Sequence, residues 1–500
     1  MSRCWELKRE FGLKTTRIVH WAVASFLSTV VLLYLGLIGL GQWYADEYDD
    51  FAMLADHGWR AILTRIPWSP RPVSEFLFLT YGSLVNRLHD PLIVPFLAVL
   101  WAGFLIAGML TCLGIRWNHP EEDFWPDLLV ALALMAFSVA YGPIMEVFYW
   151  PAGAAAYLPT LSATLLLFLQ VVRGRLATSS GRGLCSACLL VAACSSETGA
   201  SLVASYALIL AIQSAIAIRR DRNTSGRRFP GWWLIPGVIS VLLLGVVRLY
   251  RYNVVERPIS AVSSALGHPL VSLLAGGKEL VLEMLGQTVH SHAWFGLGSI
   301  LPSELLLAAG ASLCWSRLGR LPKTTRSQIA TLSAAFLLGS LLTIAASELH
   351  FGAVCCRQHE VIRRCWILMS LTGFATVLLN SSAVTYFRNH RVSPLIGPIL
   401  LCSAVFVVWH VSPLFKEYRF YGALEQATEQ NFQSGFSPHN TEMIFLLQPP
   451  NALIAGEQIP AGRYTLDSLS PEYPHYILRF FHKQSIVFRP AKDWLGASVH

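Results

Sequence analysis

The chain has 500 residues, of which 54% are hydrophobic and only 14% charged. A soluble globular chain carries about 25% charge, so this deficit excludes an ordinary water-soluble protein and points to a membrane as solvent. The formal net charge of +8 does not make it a nucleic-acid binder. Its basic residues gather in short gaps between apolar stretches, as in Arg219, Arg220, Arg222, Arg227 and Arg228, which is the positive-inside pattern of cytoplasmic loops. A basic face with interleaved aromatics on a soluble domain is missing.

Met1 to Thr16 carries Arg3, Lys8, Arg9 and Lys14, which predicts a cytoplasmic N-terminus. Arg17 to Gly41 is the first apolar span. No small-residue cleavage site follows it, so it reads as a retained anchor. The stretch from Gln42 to Asp90 then lies on the far side and opens with Asp46-Glu47-Tyr48-Asp49-Asp50. Apolar residues recur at helical spacing from Tyr48 to Leu63 (Phe51, Leu54, Ala55, Trp59) and from Pro72 to Leu88. That predicts two helices lying flat at the interface, joined by Trp68-Ser69-Pro70-Arg71.

Pro91 to Ile115 returns inward, and Trp125 to Ala140 leads out to a loop, Tyr141 to Ala156, that has no basic residue. Tyr157 to Val172 comes back to Arg173, Arg175 and Arg182. Leu184 to Ile218 is too long for one span of about 20 residues and tight for two. Both its flanks are arginine-rich, so an even number of crossings is required. A hairpin with its tip at Ser195-Ser196-Glu197-Thr198-Gly199 is predicted, with a re-entrant element as the competing reading. Trp232 to Val247, Trp294 to Trp315, Ile329 to Ala346, Trp366 to Val384 and Leu395 to His410 complete about eleven crossings. Between them lie a second outer loop, Arg248 to Ser291, and a third with Glu348, His350, Arg357, His359, Glu360, Arg363 and Arg364.

Pro413 to His500 has ordinary polarity and follows the last span. Helical spacing from Glu417 to Phe432 and short strand patterns at Met443 to Leu447, Arg463 to Leu466 and Gln484 to Phe488 predict a small outer α+β domain. The expected organisation is an all-α polytopic membrane core over 1–412, with its acidic loop at 42–90, and an extracytoplasmic domain over 413–500.

Several signals carry chemistry. Clustered carboxylates raise one another's pKa toward neutrality, which suits a general base. The same cluster also reads as a solvated loop start, or as an acidic first turn favoured by the helix dipole. Glu197 at the hairpin tip and Glu146 at a span end are candidates for binding sugar hydroxyls or for orienting Arg71, with a helix cap or an intramembrane hydrogen bond to backbone as the plainer reading; Asp49 beside the main cluster is a further sugar-binding candidate, or with Asp50 supports the start of the interfacial helix. Trp150 offers a stacking face, although interfacial aromatics are common anchors. Arg71, Arg257 and Arg357 occupy three different outer loops against the positive-inside trend. Their planar forks suit a phosphate, with headgroup contact or pairing to Glu256 and Glu360 as the plainer reading. The spacing of Cys185 and Cys188 is metal-like, but no second Cys/His pair lies near, so these read as buried thiols. His290 and His292 lack a nearby acid, and no metal site is expected.

The acidic pair after a retained first span, the two interfacial helices, the outer string Glu146 to Pro159 with Phe148-Tyr149-Trp150 and Tyr157-Leu158-Pro159, and the hairpin Ser195 to Gly199 together resemble the GT-C superfamily of bacterial membrane glycosyltransferases. The tail string Asp467 to Glu472, followed by His475-Tyr476 and Phe480-Phe481, is similar to the outer end of the same proteins. The resemblance implies a fold of about eleven transmembrane helices in the bacterial inner membrane, with the C-terminal domain periplasmic or extracellular. It also implies a polyprenyl-phosphate sugar donor, a lipid-linked or cell-envelope glycan acceptor, inversion at the anomeric carbon and no cofactor. By position Asp46 matches the catalytic acid of the family. Where the family often has Asp-Asp this chain has Asp46-Glu47, which leaves open which of the two is the base. An O-antigen polymerase or ligase would need no carboxylate directly after the first span. A transporter or flippase would be expected to show internal repeats and broken midplane helices.

Overall fold

A computed structural model of the chain describes residues 2–116, 124–140, 145–220, 231–254, 268–285, 300–316, 321–352, 354, 357–380, 401–402, 405, 426–447, 462–467 and 472–490. These residues are mostly helical, with one small sheet near the C-terminus. Helix α1 (Ser2–Leu35) contains the first apolar span. Three shorter helices follow: α2 (Ala45–His57), α3 (Ala61–Trp68) and α4 (Pro72–Leu88). The bundle continues through α5 (Ile93–Arg116), α6 (Phe124–Ala140), the single turn α7 (Met145–Phe148), α8 (Pro151–Val172), α9 (Ser179–Ser195) and α10 (Glu197–Arg220). After these come α11 (Leu234–Val254), α12 (Pro269–Met284), α13 (Ile300–Ser316), α14 (Lys323–Phe351) and α15 (Arg357–Leu379).

Among the described residues, six helical stretches are long and apolar enough to cross a membrane: His20–Leu40, Pro151–Val172, Glu197–Arg219, Gly231–Leu249, Lys323–Phe351 and Gln358–Leu379. Three shorter apolar helices, Ile93–Met109, Leu128–Ala140 and Glu304–Leu313, fall where further crossings were predicted. The described residues thus hold fewer full-length spans than the eleven expected, and most of Leu395 to His410 lies outside them. The central helix is α8, from Pro151 to Val172. Its apolar window is 83% buried, against 22% for that of α11, so α8 is the hub and α11 faces outward.

The stretch from Gln42 to Asp90 follows the predicted helical spacing with one further break. Gly58 caps α2 at φ +59°, a left-handed conformation that glycine adopts without a Cβ penalty, and α3 starts as a separate element. Pro72 and Pro151 open α4 and α8 at the first helical position, where a missing N–H costs nothing. The hairpin from α9 to α10 turns within one residue. The Ser196 hydroxyl accepts from the Gly199 amide at 3.0 Å and meets Thr160 Oγ1 at 2.8 Å. A Cβ on Gly199 would overlap the Ala192 carbonyl oxygen, so the two arms close only because this residue is glycine.

Two expected outer loops are helical over much of their length. The second contains α12, which packs on α14, and the third is largely the first turns of α15. Glu360, Arg363 and Arg364 are consequently buried and not solvated. Arg363 makes a two-pronged pair with Glu283 of α12, and Arg364 pairs with Glu360 at 2.8 Å. Charges removed from water in this way persist only when paired.

In the tail, residues 426–436 form helix α16. Three strands follow: β1 (Glu442–Leu447), β2 (Gly462–Thr465) and β3 (Ser485–Pro490). They are ordered β1-β3-β2, with β1 parallel and β2 antiparallel to β3. Helix α17 (Glu472–Phe481) connects β2 to β3 and buries Ile477, Leu478, Phe480 and Phe481. This unit is joined to α2 and α4 by a shared aromatic core. Trp43 lies edge-on to Tyr48, Phe51, Tyr81, Phe432 and Phe480 at centroid distances of 4.7 to 6.3 Å. Such pairs add about 0.5–1.5 kcal/mol each beyond area burial. Trp43 Nε1 donates to the Tyr81 hydroxyl at 2.7 Å, and that hydroxyl donates to the Pro91 carbonyl at 2.5 Å.

Candidate functional site

A cleft of about 510 Å³ lies where helices α2, α3 and α4 meet the bundle and α17. Its walls include Asp46, Asp49, Asp50, Arg65, Arg71, Glu75, Trp150, Tyr157, Gln358 and Tyr476. Four helices start at this cleft: Asp46 is in the first turn of α2, Arg71 caps α4, Trp150 caps α8 and Gln358 is in the first turn of α15. A fifth helix, α10, begins with Glu197, which reaches Arg71. Each start carries the positive end of a helix dipole, with the Ala152 amide of α8 and the Gly199 amide of α10 already taken by Glu47 and Ser196. First-turn acids are favoured there, and so is an anionic ligand.

The four carboxylates between Asp46 and Asp50 have different surroundings. Glu47 is fully buried and does not line the cleft. Its Oε2 accepts from the Tyr44 amide at 2.9 Å and from Trp150 Nε1 at 3.0 Å, and its Oε1 accepts from the Ala152 amide at 3.0 Å. Glu47 thereby pins the start of α2 to the start of α8 and fixes the Trp150 ring. Burial raises its pKa, while the hydrogen bonds from Trp150, Tyr44 and Ala152 oppose the rise. The local fit depends on Gly153, where a Cβ would overlap the Glu146 carbonyl oxygen.

Asp50 is buried and ion-paired with Arg65, whose Nε donates to Glu75 Oε2 at 2.5 Å. Arg65 also lies over the Phe78 ring, 5.5 Å from its centroid. Asp49 pairs with Arg479 of α17 at 3.1 Å, and the same guanidinium reaches Asp56 at 2.9 Å. Asp46 differs from all three. It is open to the water of the cleft, and among the described residues it has no hydrogen bond or ion pair. The protein around it still desolvates it, which raises its pKa above the ordinary aspartate value; Arg65 and Arg71 lower it, and Asp49 and Glu75 add to the rise.

Arg71 sits across the cleft with Nε 2.6 Å from Glu197 Oε2. Burial works against its charge, but Glu197 outweighs that and holds the guanidinium above its usual pKa. Among the described residues no hydrogen bond occupies its two terminal amines. Tyr157 stands beside this pair, its hydroxyl 3.1 Å from His359 Nε2.

Of the residues singled out from sequence, Asp46, Asp49, Arg71 and Trp150 share the cleft, with Glu197 held against Arg71. Glu146 lies behind it on α7, near the backbone of Gly153. Arg357 is the first residue of α15, next to the cleft residue Gln358, and Arg257 lies outside the described residues. The sequence reading did not assign Arg65, Glu75, Tyr157, Gln358, Tyr476 or Arg479 to the site. Arg65 carried a usable signal, a cation in an expected outer segment against the charge bias. Cys185 and Cys188 are buried free thiols, and among the described residues no three His, Cys, Asp or Glu side chains converge as metal ligands. No protein-family model matches the chain, and no curated protein matches it either.

Proposed function

We propose that this cleft performs glycosyl transfer in a membrane enzyme of GT-C type, with a polyprenyl-phosphate sugar as donor and a glycan or lipid at the outer membrane face as acceptor. Asp46 is the general base. As the acceptor hydroxyl attacks the anomeric carbon, its proton passes to the Asp46 carboxylate. The bond between that carbon and the phosphate oxygen breaks, and the electron pair leaves with the polyprenyl phosphate. Attack opposite the leaving group inverts the anomeric configuration. The terminal amines of Arg71 and the convergent helix starts stabilise the charge that develops on the departing phosphate. Arg65 restrains Asp50 and Glu75, and Glu47 holds the α2 turn that carries Asp46.

The observation that supports this reading is the difference among the carboxylates: three are engaged, while among the described residues Asp46 has no hydrogen bond or ion pair and shares a cleft with Arg71, whose terminal amines are unoccupied among the same residues. A general base must be ionised, accessible and close to its substrate. The test is transfer of labelled sugar from a panel of polyprenyl-phosphate sugars by the purified chain in proteoliposomes, with Arg71→Ala alongside. Transfer by the wild type, with a raised donor KM in the variant, supports the reading. Absence of transfer from every donor by folded protein overturns it.

A further inference from the structure

Outside the cleft, five ionisable side chains are buried in the bundle: Glu283 of α12, Glu304 of α13, and Glu360, Arg363 and Arg364 of α15, each 1% exposed. Four of them are matched. Arg363 takes Glu283, and Arg364 takes Glu360 at 2.8 Å. Glu304 is the fifth. Among the described residues no hydrogen bond or ion pair reaches it, and its Oε2 is sealed from solvent. The charges that act on it are those of Arg364 and Glu283, so it belongs to the same cluster.

Its surroundings offer nothing else to offset a negative charge. Helix α13 packs on α15 and α6. The ionisable groups of α15 begin with Arg357 and His359 at its start and continue with Glu360, Arg363, Arg364 and Cys365. The Cys365 thiol is already turned to Ser138 of α6, at 3.1 Å. From Leu128 to Ala140, α6 carries no ionisable side chain. The cluster thus sets three carboxyl groups against two guanidinium groups that are already engaged. A carboxylate taken out of water with no donor does not persist in its ionised form, and it regains neutrality by binding a cation. A proton fits that role better than a metal ion. Among the described residues no three ligand side chains converge, and Arg364 repels a second positive centre. Ionisable groups at such depth in a membrane bundle default to a functional reading.

The cluster adjoins the cleft along α15. Glu360 follows Gln358, which lines the cleft, and His359, whose Nε2 lies 3.1 Å from the Tyr157 hydroxyl. While Glu304 holds a proton, Arg364 answers to Glu360 and the first turn of α15 is braced. Once Glu304 is ionised, two carboxylates compete for Arg364 and the brace on Glu360 weakens.

We propose that Glu304 is a proton-binding site inside the bundle, and that its occupancy sets how the first turn of α15 packs at the cleft. The site stands independently of the reaction that the cleft performs.

The full chain is compared with Glu304→Gln, which mimics the protonated acid and is expected to fold. Infrared spectra in proteoliposomes at neutral pH should show a protonated-carboxyl C=O stretch in the wild type that the variant lacks. Spectra with no such difference overturn the site. A carboxyl that keeps its proton only in the folded state makes folding less favourable as pH rises, whereas glutamine does not. The wild-type unfolding midpoint in detergent should therefore fall relative to that of Glu304→Gln between about pH 5 and about pH 8. A gap that is the same at every pH overturns the site. A wild-type midpoint raised by sodium, potassium, magnesium or calcium ions, with no rise in the variant, overturns the proton in favour of a metal ion. The link to the cleft is read by maleimide labelling of Gln358→Cys, with and without Glu304→Gln, quantified on the peptide that carries position 358. The ratio of the two rates cancels the titration of the thiol itself. It should lie near one at acid pH and depart from one as pH rises; a constant ratio overturns the coupling.

Discussion

Replacing Glu47 separates a structural carboxylate from a catalytic one. In Glu47→Ala three N–H donors lose their acceptor: the Tyr44 amide, the Ala152 amide and Trp150 Nε1. A buried donor left unsatisfied costs about 1–3 kcal/mol. Water entering the vacated space offsets part of this, so the expected destabilisation is about 3–6 kcal/mol. Glu47→Gln keeps an oxygen for the Tyr44 and Trp150 donors and opposes only the Ala152 amide, so it costs no more than about 1–3 kcal/mol. Thermal unfolding in detergent, followed by near-ultraviolet circular dichroism to report on Trp150, measures both. The expected order of midpoints is wild type, then Glu47→Gln, then Glu47→Ala, with Glu47→Gln retaining transfer. A wild-type midpoint for Glu47→Ala would refute the claim that these bonds hold α2 to α8. Loss of transfer in Glu47→Gln at a preserved midpoint would move the base from Asp46 to Glu47.

Other outcomes follow from the same geometry. Arg363→Ala leaves Glu283 buried without its partner, and removing one member of such a pair costs about 3–5 kcal/mol; its unfolding midpoint in detergent should fall well below that of a surface control such as Arg60→Ala. Gly199→Ala forces a methyl group against the Ala192 carbonyl in the hairpin and should cost about 1–3 kcal/mol, read in the same unfolding assay. The pH profile of kcat/KM should show activity lost as pH falls through the Asp46 pKa, because the base works only when deprotonated. Burial puts that limb above the ordinary aspartate value of 3.8. Arg65→Gln removes a cation that lowers the Asp46 pKa, so the limb should move to higher pH. A limb that stays in place would dissociate it from Asp46.

The features legible in the sequence were those governed by local periodicity. The amphipathic spacing around Phe51, Leu54 and Trp59 and from Pro72 to Leu88 gave helical structure there, although the first stretch breaks at Gly58 into α2 and α3. Short strand-forming runs set between Pro/Gly turns gave the three tail strands to within a residue or two. The Ser196 break followed from charge bias at both flanks of Leu184 to Ile218. Helix α17 was not legible as a helix, because Pro474 reads as a breaker until its place in the first turn is known, where it is tolerated. Neither was the burial of Arg363 and Arg364. Charged residues next to an expected loop read as solvated; Glu283, the partner of Arg363, is 80 residues away, while Arg364 pairs with Glu360 one turn earlier. The acidic cluster could be found but not sorted. Its members are distinguished by Trp150 and Ala152, more than 100 residues downstream, and by Arg479, 430 residues from Asp49. Charge in a sequence marks a site, whereas the division of roles among adjacent carboxylates is decided by tertiary contacts.

The central claim is that Asp46 takes the acceptor proton, and Asp46→Asn tests it most directly, because the substitution keeps size and shape and removes only the basic charge. Labelled-sugar transfer should be measured for the wild type and this variant in proteoliposomes, with membrane insertion and unfolding midpoint recorded for both. The account predicts a fall in kcat on the order of 10²–10⁴-fold with insertion and midpoint preserved. Turnover within a few-fold of wild type would contradict it.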